Sequence, residues 1–91
     1  MSNIHRNTLS RHVFFSCNSQ QEPLFAVRAG VPIDDGLNIA ASFLSAADSV
    51  ATVAAEGGDE GCMWAAHYLI EMSQAILESA ISAIAKESRH V

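Results

Sequence analysis

The sequence predicts an all-α protein: an antiparallel two-helix hairpin that dimerises into a four-helix bundle, with a short N-terminal strand-like segment. Three observations carry this. Two long stretches repeat apolar residues at helical spacing, a glycine pair separates them, and both apolar faces are wider than one neighbour needs. With 91 residues there is room for one domain, and a domain of that size buries only about 60% of the surface its unfolded chain exposes. Much of the 49% apolar content is alanine, so the core is shallow, and shallow cores favour oligomers.

Residues 1–22 show no helical periodicity and close in the polar run Ser16-Cys17-Asn18-Ser19-Gln20-Gln21-Glu22. They are read as a mobile N-terminal tail with a weak strand signal at Val13-Phe14-Phe15. The hairpin domain then spans 23–91. Leu24 to Val27 is the stronger strand candidate, and Gly30 and Pro32 punctuate the chain after it.

Helix 1 is expected over about 32–56. Pro32 suits a first turn, where its missing N–H leaves nothing unpaired. Asp34 and Asp35 place negative charge against the positive end of the helix dipole. At about 100° per residue, Asp34, Asn38, Ser42, Ser45, Asp48, Ser49, Thr52 and Glu56 share one polar sector, and the rest is apolar. Within the apolar arc a 4-3 spacing, Ile33, Leu37, Ala40, Leu44, Ala47, Ala51, Ala54, predicts a small-residue seam. Phe43 and Val50 form a bulkier second stripe. Gly57-Gly58 ends the helix and Asp59 caps the next.

Helix 2 is expected over about 59–86, antiparallel to helix 1 because the link is so short. Cys62, Ala65, Leu69, Met72, Ile76, Ala80 and Ala83 line one face, and His67, Glu71, Gln74, Glu78 and Ser82 form a wet one. The expected core or interface residues are Phe25, Val27, Leu37, Phe43, Leu44, Val50, Trp64, Leu69, Met72 and Ile76. Phe25 and Val27 are expected to cover the bundle end, or to pair as strands across the dimer axis.

Charge narrows the function. Residues 1–31 carry net +2, from three arginines against Glu22, and residues 32–91 carry net −7, from Lys86 and Arg89 against nine carboxylates. An acidic body repels the phosphates that supply most nucleic-acid affinity, so no nucleic acid is expected. No run of seven apolar residues marks a signal peptide, and no 18-residue apolar run marks a membrane span. Two cysteines, Cys17 and Cys62, at no recognised spacing, fit a reduced, cytoplasmic protein.

No catalytic, cofactor-binding or metal residues are assigned. His67 and Glu71 stand at i, i+4, but di-iron bundles use an inward Glu-x-x-His order. Cys62 lies in a first turn, where the dipole lowers a thiol pKa, yet Asp59 and Glu60 oppose a thiolate, so it is read as structural. Met63, Trp64 and Tyr68 cluster in the first turns of helix 2, either as an end cover or as a partner-binding patch. No phosphate-binding loop or nucleophile–base pair is present.

LFAVRAGVPIDDGLNIAASFLSAA, a short acidic turn, and WAAHYLIEMSQAILESAI together resemble the short bacterial family labelled domain of unknown function 3077, found chiefly in pseudomonads. Phe25, Val27, Gly30, Pro32 and Leu37 fit its first motif, and Tyr68, Leu69, Glu71 and Met72 its second. Gly36 departs from it, standing where alanine is usual. The likeness covers about residues 24–85 and implies a small helical protein without assigned activity. The expectation is a non-enzymatic homodimer, a protein-interaction or regulatory module whose protein partner the sequence does not identify. The alternative is a carrier or sensor with a pocket for an apolar ligand in the bundle.

Overall fold

The computed structural model describes residues 7–88. The element order is β1 (His12–Cys17), β2 (Glu22–Val27), α1 (Ile33–Ala55) and α2 (Glu60–Ser88). The two-helix hairpin agrees with the sequence reading, with helix ends shifted by one or two residues.

The sequence-based fold class needs one correction, because the protein is not all-α. Part of the segment read as a tail, His12–Cys17, pairs with the expected strand-like segment as a two-stranded antiparallel sheet. The register runs from His12↔Val27 to Cys17↔Glu22. The middle of the polar run that suggested mobility, residues 18–21, is the turn, with Asn18 and Gln21 in the left-handed region at φ 57° and 58°. Asn18 closes it, its carboxamide accepting from the Gln20 N–H and donating to Glu22. The weak strand signal at Val13-Phe14-Phe15 falls inside β1, but strand pairing is a non-local event, and HVFFSC has no clean alternation to announce it. Within this chain β2 is therefore paired with β1.

Residues before β1 are also bound. Leu9 exchanges backbone hydrogen bonds with Val31 and Gly30, and Thr8 bridges to Pro32. The Asn7 carbonyl takes the first amide of α1, from Ile33, at 2.6 Å. A backbone carbonyl thus serves where Pro32, the N-cap residue, has no side-chain acceptor. Leu9 is buried and rests on Gly36, where a Cβ would lie 2.6 Å from a Leu9 methyl.

The helix link follows the residues that form it. Gly57, at φ 99°, and Gly58 donate to the carbonyls of Ala54 and Val53, the Schellman pattern that only a left-handed residue permits. Asp59 then accepts from the Cys62 amide and caps α2.

The helix pair packs through small residues. Among the described residues the buried side chains are Leu9, Ala40, Ala47, Ala66, Ala75 and Ala80, with Ser73 and Ser79. Ser73 donates to the carbonyls of Leu69 and, across the seam, Ala40. Ser79 donates to the Ser10 carbonyl and ties α2 to the N-terminal segment. The expected 4-3 seam is split by the structure. Ala40 and Ala47 face α2, but Leu37, Leu44 and Ala51 lie outside it. Phe43, Val50 and Ala54 flank the contact instead.

Of the other expected core residues, Val27, Leu69, Met72 and Ile76 are half-buried, and Phe25 and Trp64 are exposed. The molecule measures 52 × 32 × 17 Å. At a helix diameter of about 10 Å with side chains, so thin a body leaves both helices a solvent side. By length and hydropathy alone α1, at a mean hydropathy of 1.3, is apolar enough to cross a membrane.

Candidate functional site

The described side chains gather most of their chemistry where β1 and β2 meet α2. Rings run in continuous contact there. Phe14 stacks on Phe25 at 5.9 Å, Phe25 meets Phe15 edge-on at 5.5 Å, and Phe15 meets Tyr68 edge-on at 5.8 Å. Tyr68 stacks on Trp64 at 5.9 Å, and the Trp64 indole N–H donates to Glu60. Offset and edge-to-face pairs at such separations are attractive, each contributing about 0.5–1.5 kcal/mol beyond burial. Yet Phe25, Trp64 and Tyr68 remain about half exposed, at 52%, 50% and 48%. The ring ladder is an accessible surface.

Phe15 holds the arrangement together. Its φ is 55°, a conformation that a bulky residue rarely adopts and that costs about 1–3 kcal/mol. Its amide donates to Glu71 Oε2 at 3.3 Å, and it has no partner in the strand register. Glu71 Oε1 lies 3.6 Å from His67 Nε2. The strained turn of the backbone points the amide at the helix and sets the ring between Phe25 and Tyr68.

Two grooves flank Glu71. One, of about 660 Å³, is apolar and runs along Phe14, Phe15, Leu24, Phe25, Tyr68 and Met72. Among the described residues Glu71 is the one charged residue lining it. The other, of similar volume, is mixed in character and lies along β1, where His12 Nε2 sits 2.9 Å from Glu78 Oε2. The two His–Glu pairs stay separate, and among the described residues no three His, Cys, Asp or Glu side chains converge as a metal site. Cys17 and Cys62 are both free thiols and half-buried. Cys17 lines the apolar groove.

Of the residues expected at a core or interface, the structure brings Phe25, Trp64 and Met72 to this region. It places Leu37 and Leu44 on a different face, and Phe43, Val50, Leu69 and Ile76 along the helix seam. Sequence reasoning did not assign Phe14, Phe15 or Glu71 to the site. Phe14 and Phe15 lay in the presumed tail, and Glu71 lay in the wet stripe of helix 2. The available signal was the aromatic pair itself, since two adjacent phenylalanines are unusual company for a mobile polar segment.

No curated protein and no solved structure matches the chain. The model of the family described as protein of unknown function DUF3077 matches residues 8–83, taking in the β-hairpin as well as both helices. The chain belongs to that family.

Proposed function

We propose that the protein is a non-enzymatic homodimeric interaction module, dimerising through its helices and offering the ring ladder to a protein partner. The observation that carries the dimer is an apolar face left bare by the hairpin. Leu37 and Leu44 on α1 are one heptad apart, and so are Ile70, Leu77 and Ile84 on α2. All five are more than a third exposed. Each stands one residue after a seam position. An antiparallel helix pair has a local twofold normal to its plane, so side chains offset by one residue from the seam emerge on the same side of both helices.

The hairpin occupies the opposite side. It packs on α2 through Tyr68, Glu71 and Glu78, on the order of 130° round the helix from Leu77. Two copies placed face to face make a twofold four-helix bundle with both ring ladders outward.

Sedimentation at tens of micromolar tests this, with a dimer expected. Leu77→Asp is expected to give a folded monomer, since Leu77 touches solvent in the single chain. Leu69→Asp, inside the helix seam, is expected to unfold the chain. A wild-type monomer at that concentration ends the proposal.

A second reading, a carrier of small apolar ligands, has one supporting observation. A cleft of about 300 Å³ between the hairpin and the helices is lined by Leu9, Val27, Ile39, Phe43, Met72 and Ile76 among others. Ligand retained in native mass spectrometry would favour it, and a bare mass over a range of expression hosts would count against it.

A further inference from the structure

We propose that the apolar groove beside Glu71 receives an arginine side chain presented by a segment of a partner protein. This rests on the reading of the protein as an interaction module and names the chemistry its exposed site would take. The groove walls are the rings of Phe15, Phe25 and Tyr68 with Leu24 and Met72, and the described residues lining it include no lysine or arginine. The charge at its side is one carboxylate, whose side chain is one-third exposed. A purely apolar occupant would strip water from Glu71 and return nothing for it. A cationic occupant on an apolar stem satisfies both surfaces, with methylenes against Leu24 and Met72 and charge at Glu71.

Arginine fits better than lysine. Its guanidinium is planar, lies flat on aromatic faces, and pairs with a carboxylate through parallel N–H donors. Glu71 has the capacity for this. Oε2 already accepts from the Phe15 amide and Oε1 lies 3.6 Å from His67 Nε2, but each carboxylate oxygen offers two lone pairs. The strained Phe15 backbone fixes both the carboxylate and the ring beside it, so the site stands ready before binding. Charge complementarity extends beyond the groove, because residues 32–91 carry net −7 and draw a basic segment toward this body.

Trp64 is the only tryptophan in the chain and stacks on Tyr68, so its emission reports on the groove. The full chain is titrated with acetyl-Gly-Gly-Arg-Gly-Gly-amide and with the same peptide carrying citrulline, the neutral isostere. The arginine peptide is expected to shift Trp64 emission saturably, at least fivefold more tightly than the citrulline peptide. Added salt is expected to narrow the gap. Glu71→Gln is expected to bring the arginine peptide down to the citrulline level. Tyr68→Leu keeps the carboxylate, removes a stacking face, and is expected to weaken binding severalfold. Asp48→Asn, exposed on the polar sector of α1 and away from both grooves, is expected to change nothing.

Equal binding of the two peptides, or no saturation by either into the millimolar range, overturns the proposal. Sedimentation of the same samples separates the two readings. Arginine selectivity in a monomer removes the dimer and keeps this site, and a dimer without selectivity does the reverse.

Discussion

At the scale of residues, the fold depends on a close approach that a larger side chain would prevent. Gly36 lets Leu9 lie against the first turn of α1, although glycine in a helix costs up to about 1 kcal/mol relative to alanine. Leu9→Ala is expected to cost about 2–4 kcal/mol in urea unfolding, since the side chain is buried. In that background Gly36→Ala is expected to stabilise by up to about 1 kcal/mol, because the clashing methyl is gone. In the native background the same change gains less or destabilises, and additivity of the two substitutions would contradict the contact. The buried serines differ in the same way. Ser79 bonds a carbonyl of the N-terminal segment, so Ser79→Ala is expected to cost about 1–3 kcal/mol. Ser73 bonds most closely to a carbonyl one turn back in its own helix, and Ser73→Ala is expected to cost about 1 kcal/mol or less, by the same denaturation.

At the scale of elements, the β-hairpin and the helix pair are held by different means. The helices meet through alanine and serine, so their backbones approach closely over a long seam. The hairpin is attached by rings, by the Glu71–Phe15 bond and by His12–Glu78. A two-stranded hairpin is marginal alone in water, so this attachment sustains it. Phe25 touches both Phe14 and Phe15. Phe25→Ser is therefore expected to raise hydrogen exchange of the β1 and β2 amides while the central amides of α1 and α2 keep their protection. Equal loss of protection in the helices would show that hairpin and helices open as one unit. At the helix link, Gly57→Ala places a Cβ at φ 99° and is expected to lower stability by about 1 kcal/mol or more, measured by thermal unfolding.

At the scale of the whole molecule, a 17 Å thickness and a core of alanines leave an apolar surface of large side chains bare on both helices. If two copies cover it, the melting temperature rises with protein concentration, and Leu77→Asp abolishes that dependence. The helices were legible from the sequence because their signals are local. Pro32, Asp34 and Asp35 open α1, Gly57-Gly58 closes it, Asp59 opens α2, and the apolar period fills the spans between. The site was legible only in part. Phe25 and Trp64 were expected at a core or interface, and Trp64 and Tyr68 in an end cover or partner patch, while Phe14, Phe15 and Glu71 were assigned to neither. By itself the sequence determined two antiparallel helices with surplus apolar faces, since propensity, caps and periodicity act within a few residues. The tertiary structure alone decided that residues 12–17 fold back on 22–27, that Leu9 fills the space over Gly36, and that Glu71 lies beneath a ring ladder. Those contacts join residues far apart in the chain, and a pairing across 56 positions, such as Phe15 with Glu71, leaves no mark in either local pattern.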